Sequence, residues 1–249
     1  MLVKEIRPQE GPQEAFLSTS ADICIYGGAA GGGKTYGMLL DALRYTNIKG
    51  FGAVFFRKNN NQIFSEGGLW DSSLDLYSQI PNVIPAVGLS QWKFKDAKNR
   101  IVSKVSFKHI ERDQDLSKWQ GSQICGLYFD ELTHFSEKTF FYMFSRNRSL
   151  CGVRPYTRAT CNPDADHDAA VHRTGFEGAH HALGVNQGNV LHISPAQARR
   201  HASGGGLGVA ALDALITDLH HHALTSPWSR RTPRCSWRSS GWRPHRPPR

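Results

Sequence analysis

The chain has 249 residues, a formal net charge of +9 at pH 7 and 39% hydrophobic residues. This length is enough for one α/β domain with a sizeable core, or for one domain with an appendage. No apolar run reaches the length of a membrane-spanning helix, and the N-terminus lacks the apolar region of a signal peptide. The five cysteines form no Cys-x-x-Cys pair, and four lie in or beside apolar stretches, so we expect reduced core thiols in a cytosolic protein.

Strand-like and helix-like segments alternate along the first 166 residues. The expected strands are 21–27, 52–57, 92–95, 102–110, 124–129 and 156–161, and the pair at 92–110 forms a hairpin. The expected helices are 35–46, 62–79 with an interruption at Gly67-Gly68, and 136–144 with Ser136 as its cap. This alternation predicts an α/β domain at 1–166, with a mainly parallel sheet and helices on both faces.

A phosphate-loop (Walker A) pattern lies between the first strand and the first helix. Its glycines let backbone N–H groups turn inward around the α- and β-phosphates of a nucleotide. Lys34 would place its charge on the β- and γ-phosphates, and the Thr35 hydroxyl could ligate Mg²⁺. The alternative is a Gly-rich turn that meets the pattern by accident, which the strand–loop–helix context disfavours. The predicted phosphate contacts are Gly28, Ala29, Ala30, Gly31, Gly32, Gly33, Lys34 and Thr35.

The apolar strand at 124–129 ends in two adjacent carboxylates, Asp130 and Glu131, a Walker B pattern. At the carboxyl end of a strand in a nucleotide-binding sheet, Asp130 would lie beside Mg²⁺. Glu131 could orient and deprotonate the attacking water. The adjacency of Asp130 and Glu131 favours an ATPase that carries its catalytic base on this strand. A GTPase positions its attacking water with another group. The alternative is a solvated acidic strand end.

Three further polar side chains could complete a nucleotide site. A glutamine amide presents a donor and an acceptor to adenine, and Gln13 is the candidate, with Gln9 as its rival. Arg57, at the end of its strand, could reach the nucleotide or pair with an acid. Asn162 could sense the γ-phosphate or position water, and the alternative is a strand-ending Asn-Pro turn.

Two arginines follow the helix at 136–144. Arg146 or Arg148 could stabilise transition-state charge, in its own subunit or in a neighbour's. The alternative for either one is an ordinary surface or structural arginine.

The composition changes near residue 166. All eleven lysines lie at or before Lys138, whereas residues 167–249 contain ten of the twelve histidines, ten arginines and four acids. These residues could form a basic nucleic-acid-binding arm, or they could be translated out of the ancestral frame. We favour the second interpretation, because the loss of lysine is abrupt and no fold pattern follows, and we expect this tail to be largely disordered. No specific metal is expected at the adjacent histidines 220–222, which would point in different directions on a helix.

Several motifs, in order, resemble those of the ATPase domain of tailed-bacteriophage terminase large subunits, over roughly residues 1–166. They lie at 12–16, 25–35, 55–58, 119–122, 129–131, 145–148 and 159–163. The resemblance implies an additional-strand, RecA-like P-loop ATPase fold, which we expect to be incomplete at the C-terminus. It also implies that the domain uses ATP and Mg²⁺, with Gln13 on adenine, Glu131 as the catalytic base and residues 160–162 coupling hydrolysis to motion. Many relatives carry an arginine before the glycine that corresponds to Gly121. Here that residue is Gln120, which shifts attention to Arg146 and Arg148.

The resemblance also implies a role and partners. The family's motor drives double-stranded DNA into a procapsid in the cytoplasm of the host bacterial cell, as a homo-oligomeric ring with a portal protein and a small terminase subunit, and no membrane partner is implied. Relatives continue into an RNase H-like nuclease domain with clustered acids, which the tail lacks. We therefore expect a truncated or frameshifted phage or prophage product without nuclease activity. The alternatives are a non-functional remnant that retains a nucleotide-binding core, or a helicase- or RecA-like ATPase, which would need second-lobe motifs.

Overall fold

One large mixed β-sheet organises the computed structural model, which describes residues 6–28, 31–162, 190–193, 235–238 and 241–244. Its strands are β1 (Ile23–Gly27), β2 (Gly52–Arg57), β3 (Val83–Ala86), β4 (Gln91–Lys95), β5 (Ile101–His109), β6 (Gly126–Phe129), β7 (Tyr156–Cys161) and β8 (Val190–Ile193). A separate antiparallel pair consists of β9 (Cys235–Arg238) and β10 (Gly241–Pro244).

Within the described residues, five α-helices accompany the sheet. They are α1 (Pro12–Ser18), α2 (Lys34–Ala42), α3 (Asn61–Phe64), α4 (Leu69–Tyr77) and α5 (Glu137–Phe144). Short 3-10 segments lie at Leu43–Tyr45, Val87–Leu89, Asp113–Trp119 and Leu132–His134. No helix among the described residues has the length and apolar character needed to cross a bilayer.

The strand order in space is β3-β4-β5-β2-β6-β7-β1-β8. The five strands from β5 to β1 in this order are parallel. Strands β4 and β8 pair antiparallel with the two ends of this group, and β3 pairs antiparallel with β4. Strand β7 therefore lies between β1, which leads into the phosphate loop, and β6, which leads to Asp130. This inserted strand confirms the expected additional-strand, RecA-like class, and it aligns three strand ends at one edge of the sheet.

Apolar side chains cover both faces of the sheet. On one face, Leu40 of α2 and Leu76 of α4 belong to the same buried cluster as Phe55. On the other face, Met143 of α5 belongs to a second buried cluster with Phe129. Each buried side chain of this size contributes about 1.5–3 kcal/mol relative to an exposed one. The expected layering, with helices on both faces, is therefore confirmed.

A buried charge cluster fixes α2 against the sheet. The fully buried Asp41 carboxylate accepts hydrogen bonds from the Tyr128 hydroxyl at 2.9 Å and from Arg44 at 2.8 Å, and it lies 3.4 Å from Arg158 Nε. The hydroxyls of Tyr128 and Tyr156 are 2.9 Å apart. A buried carboxylate without such partners would cost several kcal/mol. The cluster thus holds the helix after the phosphate loop in one position relative to β6 and β7.

Several local predictions are confirmed and some boundaries are corrected. The hairpin, the break at Gly67-Gly68 and the Ser136 cap, whose Oγ accepts from Thr139 N at 3.2 Å, are present. The helix after the phosphate loop begins at Lys34 and ends at Ala42, where a 3-10 turn replaces its last predicted turn. The sequence did not predict α1, β3, β8, β9 or β10.

Other predictions concern residues that the structure describes only in part. Four cysteines are free thiols, at positions 24, 125, 151 and 161. The domain boundary at 166 lies outside the described residues. So do Ala29, Ala30 and most of the tail at 167–249, so the expected disorder of that tail stays a prediction.

Candidate nucleotide site

The phosphate loop leaves β1 and ends in the first turn of α2. Gly31 and Gly33 have φ values of +79° and +67°, in the left-handed region that side chains rarely adopt. Gly33 is the N-cap residue of α2, so the unpaired N–H groups of this helix start border the cleft described below. Such a helix start favours an anion. The ammonium of Lys34 donates to Gly28 O at 2.7 Å, which folds the side chain back over the loop.

A cleft of about 330 Å³ opens where β1, β6 and β7 end. Its size is within the range of small-molecule sites. The structure thus brings together most residues that the sequence predicted for nucleotide binding. The lining consists of Gly31, Gly32, Gly33, Lys34, Thr35, Tyr36, Asp130, Glu131, Thr160 and Asn162.

Asp130 is buried at the floor of the cleft. Both of its carboxylate oxygens lie 3.2 Å from Thr35 Oγ1, and Oδ1 also accepts from Thr160 Oγ1 at 2.6 Å. Arg57 Nη2 lies 2.6 Å from Oδ2. The adjacent Thr35 hydroxyl and Asp130 carboxylate suit Mg²⁺. This ion usually binds one or two protein oxygens and completes its coordination shell with phosphate and water. Among the described residues no group of three or more His, Cys, Asp or Glu side chains could hold a metal ion by itself.

Glu131 has an unusual backbone and two cationic neighbours. Its φ is +60°, a conformation that costs a non-glycine residue free energy and that is common at functional sites. Oε2 accepts from His134 Nδ1 at 3.1 Å and from Arg57 Nη1 at 2.6 Å. The hydrogen bond from His134 and the charge of Arg57 lower the pKa of Glu131 from 4.5 to about 2, against the opposing effect of burial. Glu131 is therefore ionised at neutral pH.

Thr160 connects the two acids. Its hydroxyl donates to Asp130 and accepts from the backbone N–H of Glu131 at 3.0 Å. Nearby, the buried Oδ1 of Asn162 has no hydrogen-bond partner among the described residues. Because buried polar atoms are nearly always paired, this acceptor fits a site that a ligand or water completes.

Lys34 is largely buried beside the two acids. Burial lowers its pKa because the charged form loses solvation, and the negative charges of Asp130 and Glu131 oppose this effect. A partly desolvated ammonium in this position would interact strongly with the phosphates of a nucleotide.

Gln13 does not present a free amide in this structure. Its Nε2 donates to Gly33 O at 2.8 Å, and its Oε1 accepts from Gln9 N at 2.9 Å. The side chain is buried and supports the end of the phosphate loop. Gln9 is exposed, and its Oε1 lies beside Gly33. The predicted adenine contact of Gln13 therefore stays a prediction, with Gln9 as the alternative.

Arg146 and Arg148 do not lie at the cleft. Arg146 O accepts from Ile124 N and Arg148 N donates to Ile124 O, both at 3.0 Å. Ile124 precedes β6, whereas Asp130 follows it, and six residues of strand span roughly 20 Å. The expectation that either arginine acts in the cleft of its own subunit is therefore wrong. A role in a neighbour's cleft stays a prediction.

Sequence reasoning missed His134. Its spacing from Glu131 in Asp-Glu-Leu-Thr-His is the available signal, because a 3-10 turn at Leu132–His134 brings residues three apart together. Arg57 was predicted to reach the nucleotide or to pair with an acid, and the structure shows it paired with both acids.

Comparisons with known proteins identify the relatives of this chain. A family model described as terminase large subunit, T4likevirus-type, N-terminal matches residues 25–204, so the likeness extends past the expected limit at 166. No curated protein matches the sequence. The large terminase of a thermophilic bacteriophage, in its second crystal form, has a TM-score of 0.51 and 16% identity, over 63% of this chain and 40% of that one. This likeness shows a shared fold.

Two other solved structures are similar at lower scores. The large terminase of the same thermophilic bacteriophage in complex with ADP has a TM-score of 0.47 and 15% identity, over 60% of this chain and 38% of that one. The large terminase of bacteriophage HK97 has a TM-score of 0.47 and 12% identity, over 86% and 50% of the two chains. The chain thus spans at most about half the length of these proteins.

Proposed function

The chain belongs to the terminase large-subunit family, and on this basis we propose that it binds ATP with Mg²⁺ in the cleft and hydrolyses it. One observation carries the proposal. The Thr35 hydroxyl at the end of the phosphate loop lies 3.2 Å from both oxygens of Asp130, although 95 residues separate them in the chain. The fold thus joins the two predicted Mg²⁺ ligands at the start of α2, where phosphate would bind.

Residues of the cleft would bind the phosphates and Mg²⁺. The backbone N–H groups at Gly31, Gly32 and Gly33 would surround the phosphates, and Lys34 would place its ammonium on the β- and γ-phosphates. Thr35 and Asp130 would hold Mg²⁺, which would offset the charge of the phosphate oxygens.

Glu131 would orient the attacking water and accept its proton as the γ-phosphoryl group passes from ATP to the water oxygen and ADP leaves. A carboxylate with a pKa near 2 is a weak base, so Glu131 would act after its bonds to His134 and Arg57 are exchanged. The γ-phosphate offers Arg57 an alternative anionic partner. Asn162, with its unpaired acceptor, could help to position the water.

The wider role rests on family membership. We propose that ATP hydrolysis by this domain serves a phage packaging motor that drives double-stranded DNA into a procapsid in the host cytoplasm. Portal protein, small terminase subunit and a homo-oligomeric ring are the partners that the family implies. No nuclease activity is proposed for this chain. The family match favours this motor over a helicase- or RecA-like ATPase.

ATP turnover by the full chain tests the proposal. We expect hydrolysis above background that depends on Mg²⁺. Glu131→Gln should lower kcat by about 100-fold or more while fluorescent ADP still binds, because a general base contributes a factor of this order. Lys34→Ala should lose nucleotide binding.

A matched control is Glu111→Gln, which removes an exposed carboxylate outside the cleft lining and should leave both readouts unchanged. If the wild type and the three variants all hydrolysed ATP at the same background rate, the result would contradict the proposed ATPase activity and favour a non-functional remnant. ADP binding by such a remnant would show that the nucleotide-binding core alone is retained.

A further inference from the structure

One face of the sheet changes from apolar to cationic where it extends past β2. In register, Lys104 and Lys108 of β5 lie opposite Gly52 and Phe56 of β2, so both lysines share the face that carries Phe56. Trp119 covers Phe56, with ring centroids 4.8 Å apart. Farther out, the register places lysines rather than apolar residues on this face.

The next strand adds a third lysine to this face. Lys93 of β4 lies directly opposite Lys104 in the antiparallel ladder. We call Lys93, Lys104 and Lys108 the lysine face. The residues that alternate with Lys93, Trp92 and Phe94, are buried on the other side of the sheet.

Two like charges directly opposite each other destabilise a sheet, because their Cβ atoms are only about 5 Å apart. Neither Lys93 nor Lys104 forms an ion pair with another described residue, and β3, β4 and β5 contain no Asp or Glu. The Lys108 ammonium is bonded to a neutral group, Leu89 O, at 3.0 Å. The described part of the chain therefore keeps a concentrated positive charge that none of its carboxylates pairs with.

We propose that the lysine face binds the phosphate backbone of double-stranded DNA, and this proposal rests on the packaging function proposed above. The phosphates of a duplex supply closely spaced negative charges, one per roughly 3.4 Å of axis on each strand. Lys104 and Lys108 are separated by four residues, or roughly 13 Å along β5. Together with Lys93, they form a cationic patch long enough to follow several phosphates.

The chemistry of this face favours a duplex over single-stranded nucleic acid. Single-strand binding relies on exposed aromatic rings on which bases stack. Here the aromatic residues of β4 are buried on the opposite side, and the neutral groups between the lysines are polar, with Gln91 Nε2 donating to Ser106 Oγ at 2.7 Å. The face offers contacts to a backbone and none to base faces, so binding is independent of sequence.

The salt dependence of duplex binding by the full chain tests this inference. Each phosphate neutralised contributes about 0.9 to the slope of log K against log salt, so Lys93→Gln/Lys104→Gln should reduce the slope by about 2. Lys49→Gln/Lys138→Gln makes the same charge change at exposed lysines in the loop before β2 and in α5, and it should leave the slope unchanged. Removing the opposed pair relieves repulsion, so the melting temperature of the first variant should be equal to or above that of the wild type.

Three outcomes would overturn the inference. One is an equal slope change in the two double variants, which would assign the effect to net charge. Another is a larger loss for single-stranded DNA or for polyglutamate than for the duplex. The third is a wild-type chain that does not bind duplex at all, and this result would leave the proposed ATP hydrolysis standing, because turnover and ADP binding are measured without DNA.

Discussion

Arg57 Nη1 lies 2.6 Å from Glu131 Oε2, so the residue proposed as catalytic base is held by a cation from the neighbouring strand end. The other end of the same guanidinium lies 2.6 Å from Asp130. One cation thus offsets the charges of two adjacent carboxylates, which would otherwise repel each other in a partly desolvated cleft.

The first prediction concerns this bridge. Arg57→Gln should lower the free energy of unfolding by about 1–3 kcal/mol in EDTA, which is less than for a fully buried pair because Glu131 is a quarter exposed. Mg²⁺ should then raise the melting temperature more in the variant than in the wild type, because the ion can replace the missing cation. Thermal unfolding with EDTA or Mg²⁺, without nucleotide, measures both effects.

The control for this experiment is Arg100→Gln. It breaks an ion pair with Asp96 whose arginine is 70% exposed, so its effect should be near zero in both conditions. Equal responses to Mg²⁺ in the Arg57 variant and the wild type would contradict the bridging role.

The second prediction concerns His134 and pH. The folded-state pKa of Glu131 is about 2 against an ordinary 4.5, so its ionisation stabilises the fold above pH 4.5 and this contribution is lost as the pH falls towards 2. His134→Ala removes the largest cause of the shift, so the pKa of Glu131 should rise and acid unfolding should begin at a higher pH. Acid titration followed by circular dichroism measures the midpoint.

A double variant separates this effect from general damage by the histidine substitution. In a Glu131→Gln background there is no carboxylate to titrate, so adding His134→Ala should not move the midpoint further. A similar shift in both backgrounds would show that His134 acts through packing alone.

The sequence was most informative where function depends on contiguous residues. The phosphate loop and the Asp130-Glu131 strand end could be predicted, because each is a short pattern with a fixed position relative to one strand. The insertion of β7 between β1 and β6 could not be derived from local periodicity, because parallel pairing joins segments more than a hundred residues apart. The family resemblance implied it instead.

Local sequence also could not show that Arg146 and Arg148 lie away from the cleft of their own subunit. They follow the helix after Asp130-Glu131 in the chain, but α5 runs back along the sheet and returns the chain to the amino end of β6. Strand β3 was missed because it has four residues and contains Pro85, which is tolerated at a sheet edge. Helix α1 was missed although Pro12 at its first position is a helix-start signal.

The third prediction compares two glycines of the phosphate loop. Both have positive φ, so alanine at either position costs about 1 kcal/mol or more in backbone strain. At Gly31 an added Cβ meets open space, whereas at Gly33 it would overlap Gln13 Nε2. Gly33→Ala should therefore displace Gln13 and weaken ADP binding much more than Gly31→Ala does. Calorimetry of ADP binding measures the difference, and equal losses would contradict it.

The fourth prediction tests which of two glutamines, Gln13 or Gln9, contacts adenine. Gln13→Ala removes the hydrogen bonds to Gly33 O and Gln9 N, so it should destabilise the fold by about 1–3 kcal/mol and weaken ADP and GDP binding by the same factor. Gln9→Ala, at an exposed position, should leave stability within about 0.5 kcal/mol and reduce the preference for ADP over GDP. A selective loss of ADP in the Gln13 variant would instead support the adenine contact expected from the sequence.

The fifth prediction concerns the hydroxyl that joins the two acids. Thr160→Val keeps the shape of the side chain but removes the 2.6 Å hydrogen bond to Asp130 Oδ1, which keeps its contact with Thr35, and leaves the Glu131 N–H without its partner. The loss of a buried partner should cost about 1–3 kcal/mol of stability. Turnover should fall with it, because the backbone of the proposed base is no longer fixed. Thr160→Ser keeps the hydroxyl and should restore both readouts, which chemical denaturation and steady-state ATP hydrolysis measure.

Thr157→Val on the same strand is the matched control for Thr160→Val. Thr157 is equally buried, but its hydroxyl makes only a 3.5 Å contact with Asn147 Oδ1, near the amino end of β7 and away from the cleft. This change should cost less stability and should not alter turnover, because no cleft residue loses a partner. If both valine variants reduced turnover in proportion to their loss of stability, the Thr160 hydroxyl would be structural, since a positioning group must affect kcat beyond what unfolding explains.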